Sequence, residues 1–403
     1  GGNQDTQKMM IPMIKRLLTM FAVIIAMPGE VLPQALPTES CDQKPPVEIN
    51  HAFPHADEIQ KILDEITEQG IPGLSVALYS QDGWWTGVAG YAKLEGEVLM
   101  QPCHLLYLQS IAKTYMAVAI LKLYEQGKLD INAPITKFLP KPVSAMVANA
   151  DSITVKQLMN HTSGVPEYNS VPAYITKLLQ EPNYEFQPID YIRYIEGKPL
   201  SFKPGSRYSY RNTNYVLLAL IADYVTGDHA KLIEEVIFKP LELKSTHYRG
   251  MQGYLNYPRL VNSYWDRFSN GVIENSSELQ RNNVQALVGD DGIVTTPLEA
   301  VVFLRGLLEG KLLTTSSLNL MKEWTNDRNG NPTYGLGLDH AEFVGHTGYG
   351  HSGGGIGAGC QLYYFPAKDL YLFVGINLGT VTESPIHEKA MATLDRLYKL
   401  LLD

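Results

Sequence analysis

Ser110 and Lys113 stand three residues apart at the head of an apolar run that continues to Gln126 and stops at Gly127. Read as a helix, that spacing puts both side chains on one face. An amine is then held beside a hydroxyl near a helix N-terminus, where backbone N–H groups lack intrahelical partners. A serine hydroxyl becomes a strong nucleophile only when a neighbour takes its proton, and Lys113 offers that service. The pair also fits a serine cap followed by a solvated lysine, so it gains weight only from what else the chain carries. Tyr210 and Asn212 form a second pair. Two apart in a loop or strand, they face one side. A phenol near cations can move protons, and a carboxamide can hold an amine or a substrate amide. A third stretch runs from Gly345 to Gly359 and includes His351, Ser352, Gly353 and Gly354. Glycines let a backbone come close to a substrate and aim N–H groups at a developing oxyanion. His161, in Asn160-His161-Thr162-Ser163-Gly164, reads as a loop histidine that bonds the backbone rather than a catalyst.

The elements that must position these residues can be read from periodicity. Asp57 to Gln69 places Ile59, Ile62, Leu63 and Ile66 on one helical face and ends at Gly70 and Pro72. Leu74–Tyr79 and Trp84–Ala89, joined through Asp82-Gly83, predict a β-hairpin. From the Ser110 helix to about residue 285 the signals are mostly helical, with a run after Tyr215 that stops at Thr226-Gly227. Strand character returns at Gln361–Phe365 and Leu370–Ile376. Ser384 can then cap a closing helix that has Pro385 at its first position and an apolar stripe through Ile386, Ala390, Leu394, Leu397 and Leu401. Strands at both ends with helices between predict an α+β fold whose sheet is built from both chain ends. Residues 56–109 and 290–403 would supply the sheet part of a 56–403 domain, and 110–289 an inserted, mainly helical part.

Composition narrows the classes of function. The 403 residues carry a net charge of −9 and no basic run, which argues against a nucleic-acid partner. Lys15 and Arg16 precede the short apolar run Leu17–Met27 and the breakers Pro28 and Gly29. This pattern predicts a secretory signal over residues 1–35, cleaved near Ala26 or Ala35, in a periplasmic or extracellular protein. An uncleaved segment anchoring the chain is the alternative, and would be its one membrane contact. Residues 36–55 read as a linker. An exported protein permits disulfides. Cys41, Cys103 and Cys360 cannot all pair internally. A Cys103–Cys360 bridge and two unpaired buried thiols are both open.

Together, Ser110-x-x-Lys113, Tyr210-x-Asn212 and His351-Ser352-Gly353 resemble the serine β-lactamase and penicillin-binding-protein superfamily, in the branch of class C β-lactamases and D-Ala-D-Ala carboxypeptidases. The similarity extends to Ile71-Pro72-Gly73, Glu125-Gln126-Gly127-Lys128-Leu129-Asp130, Leu158–Gly164, Pro204-Gly205, Gly289–Thr296 and Tyr334-Gly335-Leu336-Gly337. These occur in the right order over roughly residues 56 to 400. The resemblance implies an antiparallel sheet flanked by helices with a helical domain inserted. It also implies an acyl-enzyme on Ser110, proton transfer shared by Lys113 and Tyr210, and orientation by Asn212. Its oxyanion hole would be the N–H groups of Ser110 and Gly354. It implies no cofactor, and no His/Glu/Cys spacing suggests a metal. The expected partner is a small-molecule or peptide acyl donor.

Other readings of the same residues are weaker. Gly350-x-Ser352-x-Gly354, followed by Asp369 and His387, fits the nucleophile elbow of an α/β-hydrolase. That elbow needs a helix directly after the serine, whereas Cys360–Phe365 is strand-like. His346-Thr347-Gly348 competes with His351-Ser352-Gly353 as the third motif. For a substrate carboxylate, His351 replaces the lysine of many relatives, and no Lys or Arg lies between Arg328 and Lys368. Arg211 is a candidate cation, but alternation turns it away from Tyr210 and Asn212. A D-Ala-D-Ala carboxypeptidase is the first expectation. An esterase or amidase on neutral substrates, a β-lactamase and a penicillin-binding sensor without turnover are the alternatives.

Overall fold

The computed structural model describes residues 35–249, 251 and 258–403. The proposed signal segment lies outside this range except for Ala35. Helix α1 (Ala56–Glu68) buries Ile59, Ile62, Leu63 and Ile66 and carries Asp57 and Glu58 in its first turn, where the helix dipole favours negative charge. Strands β1 (Gly73–Ser80) and β2 (Gly83–Lys93) form the expected hairpin. Its last pair is Ser80 with Gly83, and Gly83 takes φ +93°, a left-handed conformation that glycine adopts without strain. A short strand, β3 (Val98–Leu99), closes that edge. The Ser110-x-x-Lys113 motif then leads into helix α2 (Ala112–Glu125), and a second long helix, α3 (Asn212–Thr226), follows the Tyr210 loop. Helix α4 (Pro297–Leu308) leads to the C-terminal strands. These are β4 (Thr325–Asn326), β5 (Pro332–Tyr334), β6 (Asp339–Phe343), β7 (His346–Gly354), β8 (Gly359–Phe365) and β9 (Leu370–Ile376). Helix α5 (Pro385–Leu402) ends the fold, with the Ser384 side chain accepting from the Ile386 N–H as its sequence signal predicted.

The nine strands make one antiparallel sheet in the order β3-β2-β1-β9-β8-β7-β6-β5-β4. Leu74 of β1 faces Ile376 of β9, so the two ends of the chain meet at the centre of the sheet. Side chains alternate between two cores, as strand geometry requires. Leu74, Val76 and Leu78 of β1 and Leu372, Val374 and Ile376 of β9 pack with α1 and α5. Ala77, Cys360, Leu362 and Phe373 pack with α2, α3 and α4 on the opposite face. That second interface holds the candidate site.

Helix α2 is apolar on all sides, with Ala112–Leu121 entirely buried, so it runs through the interior rather than over the surface. The cysteines pair as Cys41–Cys103, which leaves Cys360 buried and free. The Cys103–Cys360 bridge considered from sequence is therefore not formed. Nor is the stretch 36–55 simply a linker. Leu36, Thr38 and Cys41 are buried, and Asn262 holds Leu36 through both backbone groups, whereas Asp42–Pro46 is exposed.

Candidate active site

The chain enters the site through a strained turn. Gln109, Ser110 and Ile111 form one 3-10 turn ahead of α2, and Gln109 has φ +50°. A non-glycine residue pays steric strain there unless its surroundings hold it. The Gln109 carboxamide is held at both ends. Its Nε2 donates to Asp291 Oδ2 at 2.6 Å, and its Oε1 accepts from Gln280 Nε2 at 2.9 Å. Gln280 in turn accepts the Gly357 N–H at 3.0 Å. Two buried amides thus join the Ser110 turn to the glycine-rich bend after β7. Strand β7 passes so close that a Cβ on Gly353 would stand 2.4 Å from the Leu108 carbonyl oxygen. One on Gly355 would stand 1.8 Å from Gln109 Oε1, so only glycine fits at these two points.

Lys113 lies one helical turn after Ser110, wholly buried, with Nζ 2.9 Å from Ser110 Oγ. Nζ also donates to Asn212 Oδ1 at 2.7 Å and to the Asp290 carbonyl at 3.1 Å. It stands 4.8 Å from the Tyr210 ring centroid. Burial disfavours the ammonium and pushes the Lys113 pKa down to about 8, against the opposing pull of Asp290, Asp291 and Glu167. Burial acts oppositely on Tyr210 and holds its phenol well above the ordinary range, with the nearby Ser110 hydroxyl offsetting part of the effect. Among the described residues the Tyr210 hydroxyl makes no well-formed hydrogen bond, although the Ser110 hydroxyl lies near it. Both groups are driven toward their neutral forms, an amine that can accept a proton and a phenol that can pass one.

Asp290 and Asp291 are buried carboxylates with raised pKa values. Burial takes Asp290 to about 6 and Asp291 to about 7, the latter helped by the charge of Asp290. Tyr168 donates to Asp290 at 2.5 Å. Glu167 accepts the Asn212 backbone N–H at 2.7 Å and the Asn212 side-chain Nδ2 at 3.3 Å. Glu167, Asp290, Asp291, Gln109 and Gln280 were not singled out from sequence. Position was the available signal: Glu167 follows Asn160–Pro166, and the two aspartates lie inside Gly289–Thr296.

His351 sits at the site but is turned inward. Its Nε2 accepts from Tyr334 OH at 2.9 Å, and its Nδ1–H donates to the Ser352 carbonyl at 2.6 Å. Burial, then the Lys113 charge, lowers its pKa to about 3, so the ring is neutral. Ser352 is half-buried and Gly354 exposed. Among the described residues, the strand is paired only to β8 along His351–Gly354, because β6 reaches no further than Gly350. An open strand edge therefore flanks Ser110. The rival His346 lies at the other end of β7 beside Asp403. Ser352 lies within an antiparallel strand, and Asp369 accepts from Tyr364, so no elbow geometry surrounds them.

His161 takes φ +60°, and its Nδ1 accepts from the Arg211 N–H at 3.2 Å and from Asn214 Nδ2 at 3.0 Å. Arg211 donates to the Tyr210 carbonyl and lies beside Glu167. Away from the site, ligand-type atoms of Asp223, Asp228 and His229 approach one another, but they cap a helix turn and bond Tyr248. Among the described residues, no helix is long and apolar enough to cross a membrane.

Known proteins resemble this chain in sequence and in fold. The family described as Beta-lactamase matches residues 57–393. A putative penicillin-binding protein, PbpX of Bacillus subtilis, is 28% identical over 283 residues, covering 70% of this chain and 65% of that protein. Protein flp of Staphylococcus aureus is 30% identical over 195 residues, 48% of this chain, and the match spans only 38% of its length. Among solved structures, a D-stereospecific amidohydrolase from Streptomyces is 27% identical with a TM-score of 0.73, covering 84% of this chain and 98% of that one. The D-amino acid amidase of Ochrobactrum anthropi shares the fold at a TM-score of 0.73 and 24% identity, covering 85% and 97%. The chain belongs to the β-lactamase family and is a serine hydrolase of the acyl-transfer type.

Proposed function

We propose that this hydrolase cleaves amide or ester bonds of D-configured acyl donors whose leaving group bears no carboxylate. Ser110 is the nucleophile and Lys113 its base. The observation that carries the mechanism is the Lys113 amine, buried, depressed in pKa and 2.9 Å from Ser110 Oγ. As a free amine, Lys113 takes the Ser110 proton while Oγ attacks the acyl carbon. The N–H groups of Ser110 and Gly354 receive the developing oxyanion. Lys113, with the Tyr210 phenol as relay, returns the proton to the leaving group, and water then hydrolyses the acyl-enzyme. Asn212 holds Lys113 in place. His351, Ser352 and Gly353 form the strand edge along which a short acyl donor can lie.

The leaving group is argued from charge. His351 is neutral and committed to Tyr334, so the third motif offers no cation to a carboxylate. The likeness to a D-stereospecific amidohydrolase supports a D-configured substrate. A D-Ala-D-Ala carboxypeptidase is the second reading, favoured by the likeness to a putative penicillin-binding protein. The test compares D-phenylalanine amide with a D-Ala-D-Ala peptide, with Ser110→Ala alongside. We expect the amide to be preferred by about tenfold or more in kcat/KM, and Ser110→Ala to lose about 10³-fold. Preference for the peptide would establish the carboxypeptidase reading instead, and wild-type rates in Ser110→Ala would remove Ser110 from its role. Export belongs to the same proposal. The Cys41–Cys103 disulfide suits an oxidising compartment, as does the N-terminal pattern of charge and apolar residues.

A further inference from the structure

We propose that Glu167 is a positioning residue for the acyl transfer: by fixing the Asn212 carboxamide, it reserves the lone pair of Lys113 for the Ser110 proton. This rests on Ser110 and Lys113 acting as proposed above. A neutral lysine amine has two N–H bonds and one lone pair. Among the described residues Lys113 Nζ has three hydrogen-bond partners, and two of them, Asn212 Oδ1 at 2.7 Å and the Asp290 carbonyl at 3.1 Å, are oxygens placed to accept. They take both N–H bonds. The lone pair is left to the third neighbour, the Ser110 hydroxyl at 2.9 Å.

The arrangement depends on which way the Asn212 amide faces. A flipped Asn212 would present its NH₂ group to Lys113, donate into the lone pair and compete with Ser110 for it. Glu167 opposes that flip. Its Oε2 accepts from Asn212 Nδ2 at 3.3 Å, and the same oxygen is fixed by the Asn212 backbone N–H at 2.7 Å. Its Oε1 accepts from Thr213 Oγ1 at 3.3 Å. An ionised carboxylate only accepts, so a flipped amide would set oxygen against oxygen there. Burial raises the Glu167 pKa, and the Asn212 backbone N–H, then the Arg211 and Lys113 charges, oppose that shift in favour of the carboxylate. Glu167 also acts through space. It faces Lys113 together with Asp290 and Asp291, and all three negative charges favour the ammonium. On the other sides of Lys113 lie Tyr210, His161 and His351, the two histidines with lowered pKa values.

The experiment measures hydrolysis of p-nitrophenyl acetate against pH for the wild type, Ser110→Ala, Glu167→Gln and Glu167→Ala, with melting curves for each. Glutamine can keep an oxygen toward Asn212 but carries no charge. Glu167→Gln should therefore hold kcat on the high-pH plateau within about threefold, while its acidic limb moves to lower pH, because one charge favouring the ammonium is gone. Glu167→Ala frees the amide, and its plateau kcat should fall about tenfold or more with KM little changed. A role confined to capping α3 would lower the melting temperature of both variants and leave limb and plateau kcat at wild-type values. That result would overturn the proposal. If Glu167→Ala does not fold, Glu167→Ser, too short to reach the Asn212 amide, takes its place, and a wild-type plateau kcat there overturns the proposal. Ser110→Ala separates the two levels. Activity retained there removes the nucleophile assignment, whereas activity lost there with wild-type behaviour in both Glu167 variants removes only this inference.

Discussion

Lys113 and Tyr210 are both legible in the sequence, but their division of labour is not, because it depends on burial that no spacing reveals. Burial drives each toward its neutral form. It lowers Lys113, whose charged form is the protonated one, and raises Tyr210, whose charged form is the deprotonated one. At neutral to mildly alkaline pH the phenol keeps its proton, and the amine is the group able to take one. The sign for activity follows. With Lys113 as base, kcat/KM rises with pH as the ammonium loses its proton, with a limb near pH 8 rather than at the ordinary lysine value. A profile of kcat/KM from pH 5 to 10 checks this. A limb near 6.5 would point to a histidine instead, which the lowered pKa values of His161 and His351 argue against. His351 also marks where sequence reasoning ran out. Its place in the third motif was readable, yet its ring is occupied by Tyr334, seventeen positions earlier in the chain.

At the scale of elements, the β1–β2 hairpin, α1 and α5 were legible because each carries its own periodicity and end signals, and α2 because an unbroken apolar run ends at Gly127. The turn that aims Ser110 was not, since its conformation is imposed from outside. Gln109 holds φ +50° against partners from two distant segments, Asp291 and Gln280. Nothing within Leu108–Lys113 announces them. Gln280 is wholly buried and lies on a ten-residue helix, Ser277–Ala286, that supplies no reacting group. Replacing it with leucine strands Gln109 Oε1 and the Gly357 N–H in the interior, and each buried unpaired group costs about 1–3 kcal/mol. Both strains fall on the walls of the proposed oxyanion site, the Ser110 turn on one side and the Gly353–Gly359 bend on the other. Gln280→Leu should therefore lower kcat on p-nitrophenyl acetate by about tenfold, with a smaller effect on KM. Steady-state kinetics beside a melting curve test this. Lower stability with an unchanged kcat would make Gln280 a scaffold residue only.

Across the whole molecule, the family order of motifs announced the sheet built from both ends, and the β1–β9 pairing carries it out. The cysteine pairing stayed hidden because it joins a segment without periodicity to a loop 62 positions later. The partner of Cys103 is fixed by how residues 36–41 lie across the body. The Thr38 hydroxyl donates to the Leu260 carbonyl at 2.5 Å, and Gln101 bonds both backbone groups of Cys41 at 2.9 and 2.8 Å. This strap is held by polar contacts as well as by the disulfide, and it lies against Gln101–Leu105 and Pro258–Asn262 rather than against Lys113. The covalent link closes a loop that contains β1 to β3, so it acts mainly on the unfolded chain. Closing a loop of this length stabilises the fold by about 2–4 kcal/mol. A Cys41→Ser/Cys103→Ser double variant should thus melt about 3–5 °C below the wild type. Its kcat/KM on p-nitrophenyl acetate at 25 °C should stay within about twofold, because the contacts that aim Ser110 and hold Lys113 do not pass through the strap. Calorimetry and kinetics on the same preparation decide the matter. A large loss of activity in a variant that is still folded would mean that the strap helps to set the Ser110 turn, through Leu105–Tyr107 and the Val294–Thr295 strand paired to it.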